Sequence, residues 1–64
     1  MMMMTMELTQ REAMLILRRR KGITLKQVSE NTGISMSMVS RYEKGEKNLG
    51  AKNLEKYCQF IENY

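Results

Sequence analysis

The sequence of 64 residues contains no His, Trp or Pro, a single Cys, and no Asp among its seven acidic residues. Without His or Asp, the chain cannot build a Ser–His–Asp triad, a Cys–His pair or a pair of catalytic aspartates. One Cys and no His also exclude a structural zinc site, which needs four ligands. A chain this short has room for one small domain. We therefore expect no enzymatic activity and no cofactor.

The chain also lacks the features of a secreted or membrane protein. The single Cys58 excludes an internal disulfide, so the fold depends on packing, as in cytosolic proteins. No apolar run approaches the ~18 residues of a bilayer span. Met1–Met4 is followed by Glu7, without the basic and apolar regions of a signal peptide. We expect a cytoplasmic protein with no membrane partner, a frayed tail over residues 1–8 and one domain over residues 9–64.

The charge balance of the chain is basic. Eleven Lys and Arg residues face seven Glu, which gives a net charge of +4 and an isoelectric point of about 9.5. Such an excess indicates either a polyanionic partner or a solubilising surface. The 42% of hydrophobic and 28% of charged residues are typical of a folded globular domain.

Two capping boxes mark the starts of the first two helices. Thr9 with Glu12, and Thr24 with Gln27, have the spacing in which the N-cap and N3 side chains satisfy each other's backbone N–H groups. The first pattern predicts a helix over residues 10–21, which ends in a basic turn. The second predicts a shorter helix that ends at a glycine, as helices commonly do.

Two further helices follow, and no segment has the alternation of a strand. Ser35 predicts the N-cap of a third helix, which buries Val39 and Tyr42 and ends before Gly45. A fourth helix carries an amphipathic stripe with the spacing i, i+3, i+4, i+7. That stripe consists of Leu54, Tyr57, Cys58 and Ile61. The sequence therefore predicts an all-α fold, a compact bundle of four short helices.

The second and third helices form the informative unit, because a tight turn with Gly33 between two short helices is typical of a helix-turn-helix. The face of the third helix opposite Val39 and Tyr42 carries small, polar or basic side chains that suit a DNA major groove. We predict base contacts from Met36, Ser37, Met38, Ser40 and Arg41. The two methionines leave open whether they touch thymine methyl groups or a protein partner.

Together with the helix pattern described above, residues 18–61 resemble the lambda-repressor-like (Cro/CI, XRE-type) helix-turn-helix domain. The resemblance is carried by Arg18 near the end of helix 1, Gly33 in the turn, the Ser35 cap and the run Glu43-Lys44-Gly45. It implies a double-stranded DNA-binding regulator, a small repressor of phage, plasmid or bacterial type. It also implies a structural ion pair between Arg18 and Glu43.

Phosphate contacts are expected at the start of helix 2 and in the loop after helix 3, where the family meets the DNA backbone. We expect them from Thr24, Lys26, Lys44, Lys47 and Asn48. The basic run over residues 18–21 is open to two interpretations, a solvated surface or a further phosphate-contacting edge.

Departures from the family pattern keep a second function open. Leu25 replaces the usual phosphate-contacting Gln, which favours an adaptor or antitoxin-like module that binds a protein partner. The chain also ends after the fourth helix, whereas many relatives dimerise through a fifth. We therefore expect weak self-association into a homodimer, either through the exposed end of helix 4 around Phe60, Ile61 and Tyr64 or through contact templated by DNA.

Overall fold

A computed structural model describes residues 9–64, so the tail predicted over residues 1–8 lies outside the described residues. Within the described range the chain forms four helices and no strand. The helices are α1 (Gln10–Arg20), α2 (Leu25–Thr32), α3 (Met36–Glu43) and α4 (Ala51–Asn63). The predicted all-α bundle is confirmed. None of these helices is long and apolar enough to cross a bilayer.

Both capping boxes form as the sequence predicts. At α1, Thr9 Oγ1 accepts from Glu12 N at 3.2 Å, and Glu12 Oε1 accepts from Thr9 N at 3.0 Å. At α2, Thr24 Oγ1 accepts from Gln27 N at 3.1 Å, and Gln27 Oε1 accepts from Thr24 N at 2.8 Å. Each box satisfies two backbone donors that the helix leaves unpaired, so both helices have defined starts.

The turn between α2 and α3 depends on Gly33 and Thr32. Gly33 has φ +77°, a left-handed conformation that L side chains rarely adopt. The buried hydroxyl of Thr32 donates to Val28 O at 2.6 Å and accepts from Ile34 N at 3.2 Å. Because the Thr32 hydroxyl both donates and accepts a hydrogen bond, its burial leaves no unsatisfied polar group. Ile34, the next residue after Gly33, is buried in the core.

The core is a single cluster of apolar side chains from α2, α3, α4 and the connecting segments. The Tyr42 and Tyr57 rings meet edge to face, with centroids 5.4 Å apart. The predicted inward positions of α3 and three of the four in the α4 stripe are buried, whereas Leu54 is half-buried against the cluster. The cluster comprises Ile23, Val28, Ile34, Val39, Tyr42, Leu49, Tyr57, Cys58 and Ile61.

The predicted self-association patch is wrong at Ile61. This side chain has no exposed surface, because it lies one turn after Tyr57 on the core-facing side of α4. Tyr64 is exposed, and Phe60 is half-buried with its ring edge-on to that of Tyr64, at a centroid distance of 5.7 Å. Only these two aromatic residues of the predicted patch reach the surface.

The structure gives Lys21 a role that neither interpretation of the basic run included. Its Nζ donates to Ile61 O at 2.7 Å and to Glu62 O at 3.0 Å. A cation beside the last carbonyl groups of a helix also complements the helix dipole. Lys21 therefore connects the end of α1 to the end of α4, while Arg19 and Arg20 remain exposed.

Candidate nucleic-acid interface

The outward face of α3 is accessible over most of its predicted length. Met36 is 46% exposed, and Ser37 and Arg41 are exposed beside it. Ser40 is half-buried. Met38 is also half-buried and packs against the core, so its side chain turns away from the face shared by the others. The outward face therefore presents a small polar, a basic and an apolar side chain, those of Ser37, Arg41 and Met36.

The start of α3 is set by Ser35, whose Oγ accepts from Met38 N at 3.2 Å. Val39 is fully buried and Tyr42 nearly so, which fixes the rotation of α3 about its own axis. Because the inward residues are held in the core, the opposite face points to solvent in a defined orientation. This anchoring presents Met36 and Ser37 at the N-terminal turn, the part of a recognition helix that enters the major groove.

The end of α3 is fixed by an ion pair between Arg18 and Glu43. Arg18 Nε lies 2.7 Å from Glu43 Oε2, and Arg18 Nη2 lies 2.9 Å from Glu43 Oε1. The two side chains are 11% and 6% exposed, so the pair is shielded from solvent. Arg18 Nη1 also donates to Ile23 O at 2.8 Å. The predicted ion pair is thus present and bidentate, the geometry that a guanidinium and a carboxylate favour.

A third side chain completes this network. The Tyr57 hydroxyl donates to Glu43 Oε2 at 2.7 Å. Burial raises the pKa of Tyr57, and the hydrogen bond to the Glu43 carboxylate raises it further. The phenol therefore keeps its proton and remains a donor. Through Glu43, the end of α3 is joined to α1 and α4 at once.

The predicted phosphate-contacting residues are all exposed. Lys26 lies in the first turn of α2, and Lys44 follows α3 directly. Lys47 and Asn48 continue along the loop between α3 and α4. Thr24 differs, because its hydroxyl accepts from Gln27 N and approaches Gln27 Oε1 at 3.3 Å. Its side-chain hydrogen bonds are already used at the cap.

Two leucines near the predicted phosphate contacts contribute to packing. Leu25, which departs from the family pattern, is half-buried and packs against the core. Leu49 is buried in the core cluster. Cys58 is a buried free thiol of the core cluster, and burial raises its pKa, so it packs as a small apolar side chain.

The position of Arg11 beside the loop after α3 was not predicted from the sequence. Its guanidinium lies against Gly45 in the loop after α3, although the two residues belong to distant parts of the sequence. The one available signal was its position in the first turn of α1, where a helix favours acidic rather than basic residues.

Comparison with known proteins gives one match. A family model described as helix-turn-helix matches residues 14–62, a range that includes the ion pair, the turn and the outward face of α3. Arg11 precedes the matched range. No curated protein and no solved structure matches the chain.

Proposed function

The chain belongs to the lambda-repressor-like, XRE-type helix-turn-helix family of DNA-binding regulators, and on that premise we propose that it is a sequence-specific repressor. In this proposal α3 enters the major groove of a double-stranded operator, and the bound protein excludes RNA polymerase from the site. The protein acts in the cytoplasm of a bacterium or of a phage-infected cell.

The observation that carries this proposal is the outward face of α3, held in one orientation by its buried residues. Arg41 is exposed, and its planar guanidinium can donate to O6 and N7 of one guanine. Ser37 pairs with any base, and the exposed Met36 matches the methyl group of thymine. These side chains would read a short mixed sequence at each half-site.

Exposed cationic and polar side chains after α3 and at the start of α2 support the binding of the DNA backbone. Lys44, Lys47 and Asn48 lie in one short segment directly after α3, and Lys26 lies at the start of α2. Contacts of this kind position a protein on DNA without reading sequence. They make affinity fall steeply with salt, because each neutralised phosphate releases counterions.

The test is a titration of the protein with a random duplex at two salt concentrations, followed by selection of bound sequences from a random pool. We expect weak, steeply salt-dependent binding to the random duplex and recovery of a short consensus from the pool. Salt-dependent binding without a consensus would contradict sequence specificity. Absence of binding at low salt would contradict DNA recognition altogether.

A second candidate function rests on Met36. It is the large hydrophobic side chain most exposed on α3, and methionine is common at surfaces that bind other proteins. An adaptor that uses this face would bind a protein partner and show no salt-dependent affinity for the random duplex. The same titration therefore separates the two functions.

A further inference from the structure

Arg11 occupies a position that its own helix does not favour. It lies in the first turn of α1, where the helix dipole disfavours a cation. Its Nε is buried and has no hydrogen-bond partner, and the one ion pair among residues 9–64 joins Arg18 to Glu43. A buried donor without a partner is costly. Within the described part of the chain, Arg11 makes no ion pair, and its charge meets only the neighbouring carboxylate of Glu12.

The guanidinium of Arg11 lies flat beneath the loop between α3 and α4. Cζ is 3.3 Å, and Nη1 and Nη2 are each 3.4 Å, from the point where a Cβ on Gly45 would stand. Since the central carbon is nearest, the face of the guanidinium meets the glycine and its N–H edges point sideways. Gly45 also has φ +79°, a backbone conformation that favours glycine, and a Cβ added there would lie tightly against the guanidinium.

This placement adds a cation to the segment that carries Lys44, Lys47 and Asn48. We propose that Arg11 is a further phosphate contact of the DNA interface, in which its terminal amino groups bind the backbone phosphate that meets this loop. The inference rests on the proposed DNA-binding function. A guanidinium suits the role because its planar fork can donate two hydrogen bonds to one phosphate. Arg11 precedes the matched range, so the contact extends the interface beyond the family match.

The test compares Arg11→Gln with Lys56→Gln in binding to a random duplex across a salt series. Both variants lose one positive charge, but Lys56 is an exposed residue of α4 outside the proposed interface. We expect Arg11→Gln to reduce the slope of log affinity against log salt by about 0.9, the value for one phosphate. Lys56→Gln should leave that slope unchanged. Thermal melting of each variant shows that the measurements are made on folded protein.

A second measurement needs no variant. In ¹⁵N-labelled wild-type protein, the Nε–H signal of Arg11 should shift when a random duplex is added at low salt, because the guanidinium gains a phosphate acceptor. If Arg11→Gln lowers the melting temperature but leaves the salt slope unchanged, Arg11 only supports the end of α3 and the inference is overturned. An unshifted signal in a DNA-bound protein would overturn it as well. Failure of the wild-type protein to bind any duplex would instead refute the proposed function.

Discussion

At Glu43 a single carboxylate receives two hydrogen bonds from Arg18 and one from Tyr57. The acceptor is 6% exposed, so water cannot replace a missing donor. A buried pair of this kind is costly to break, because the remaining charge stays in a poorly solvated site. These three side chains have a structural role, so loss of Glu43 should destabilise the fold rather than remove a DNA contact.

We expect Glu43→Ala to cost about 3–5 kcal/mol of unfolding free energy, the range for removal of one partner from a buried ion pair. In a domain this small, that loss lowers the melting temperature by about 10 °C or more. Glu46→Ala is the matched control, since Glu46 is exposed and makes no ion pair within residues 9–64. Thermal unfolding followed by circular dichroism makes the comparison. Equal melting temperatures for the two variants would contradict the role given to Glu43.

Tyr57 makes the stability of the fold depend on pH in the alkaline range. Its pKa is raised by burial and by Glu43 above the ordinary value of about 10. The folded chain therefore holds this proton more tightly than the unfolded chain. The stability it contributes is complete below about pH 10 and is lost as the pH rises above that value.

When the pH is raised from about 9 to about 11, the unfolding free energy of Tyr57→Phe should therefore fall by less than that of the wild-type protein. Burial also raises the pKa values of Tyr42 and Cys58, and both groups remain in the variant. The difference between the two proteins therefore reports the Tyr57 hydroxyl together with its electrostatic coupling to Tyr42. Urea unfolding at each pH measures it. Parallel declines would show that the raised pKa of Tyr57 makes no contribution.

Substitution of Arg41 and substitution of the loop lysines Lys44 and Lys47 should change DNA binding in different ways. Arg41→Ala should lose about 1–3 kcal/mol on the preferred site and relax the preference at one base pair. Lys44→Ala or Lys47→Ala should weaken binding to all sequences alike and reduce the salt slope by about one unit. Binding to a matched and a single-base-changed operator across a salt series distinguishes these outcomes. If Arg41→Ala weakens both sites equally, Arg41 contacts a phosphate.

At the scale of the elements, the turn between α2 and α3 sets how the two helices meet. An added Cβ at Gly33 would have no neighbour within 4 Å, so substitution there tests the backbone alone. We expect Gly33→Ala to cost about 1–2 kcal/mol, because alanine is strained at positive φ. Gly33→Asn should cost less, since asparagine tolerates the left-handed region. Urea unfolding of the two variants gives the comparison, and an alanine variant as stable as the parent would contradict it.

The starts of α1, α2 and α3 were predictable because their signals are local, whereas α4 begins after Gly50 without a side-chain cap. The caps at Thr9, Thr24 and Ser35 depend on residues three positions apart, and Gly33 follows directly after α2. The rotation of α3 also followed from the spacing of its apolar residues. The orientation of Met38 was harder to predict, because a residue at the margin of an apolar face turns inward or outward according to the neighbours that it contacts.

Contacts between distant segments could not be predicted in the same way. Lys21 binds carbonyl groups of α4, and Arg11 lies against Gly45; neither partner has a side chain that would mark it in the sequence. The pairing of Arg18 with Glu43 was available only from the family resemblance. Residue patterns indicate which side chains turn inward, but the packing of whole helices decides which of them meet.

At the scale of the whole molecule, the surface of α4 bears on self-association. Ile61 is buried, so the remaining aromatic patch consists of Phe60 and Tyr64. Two side chains are far short of the roughly 800 Å² per partner that a stable interface buries. We expect a monomer at micromolar concentration and two copies on a duplex with half-sites one helical turn apart. Sedimentation with and without DNA measures this, and a stable dimer without DNA would contradict it.

The bond from Lys21 to the end of α4 spans 40 residues of sequence, whereas the caps and turns join near neighbours. A contact between such distant segments requires the closure of a long loop, and we expect it to form after the local helices and the helix-turn-helix have assembled. Interactions absent from the folding transition state act on the unfolding rate rather than on the folding rate. We therefore expect loss of the Lys21 contact to speed unfolding more than it slows folding.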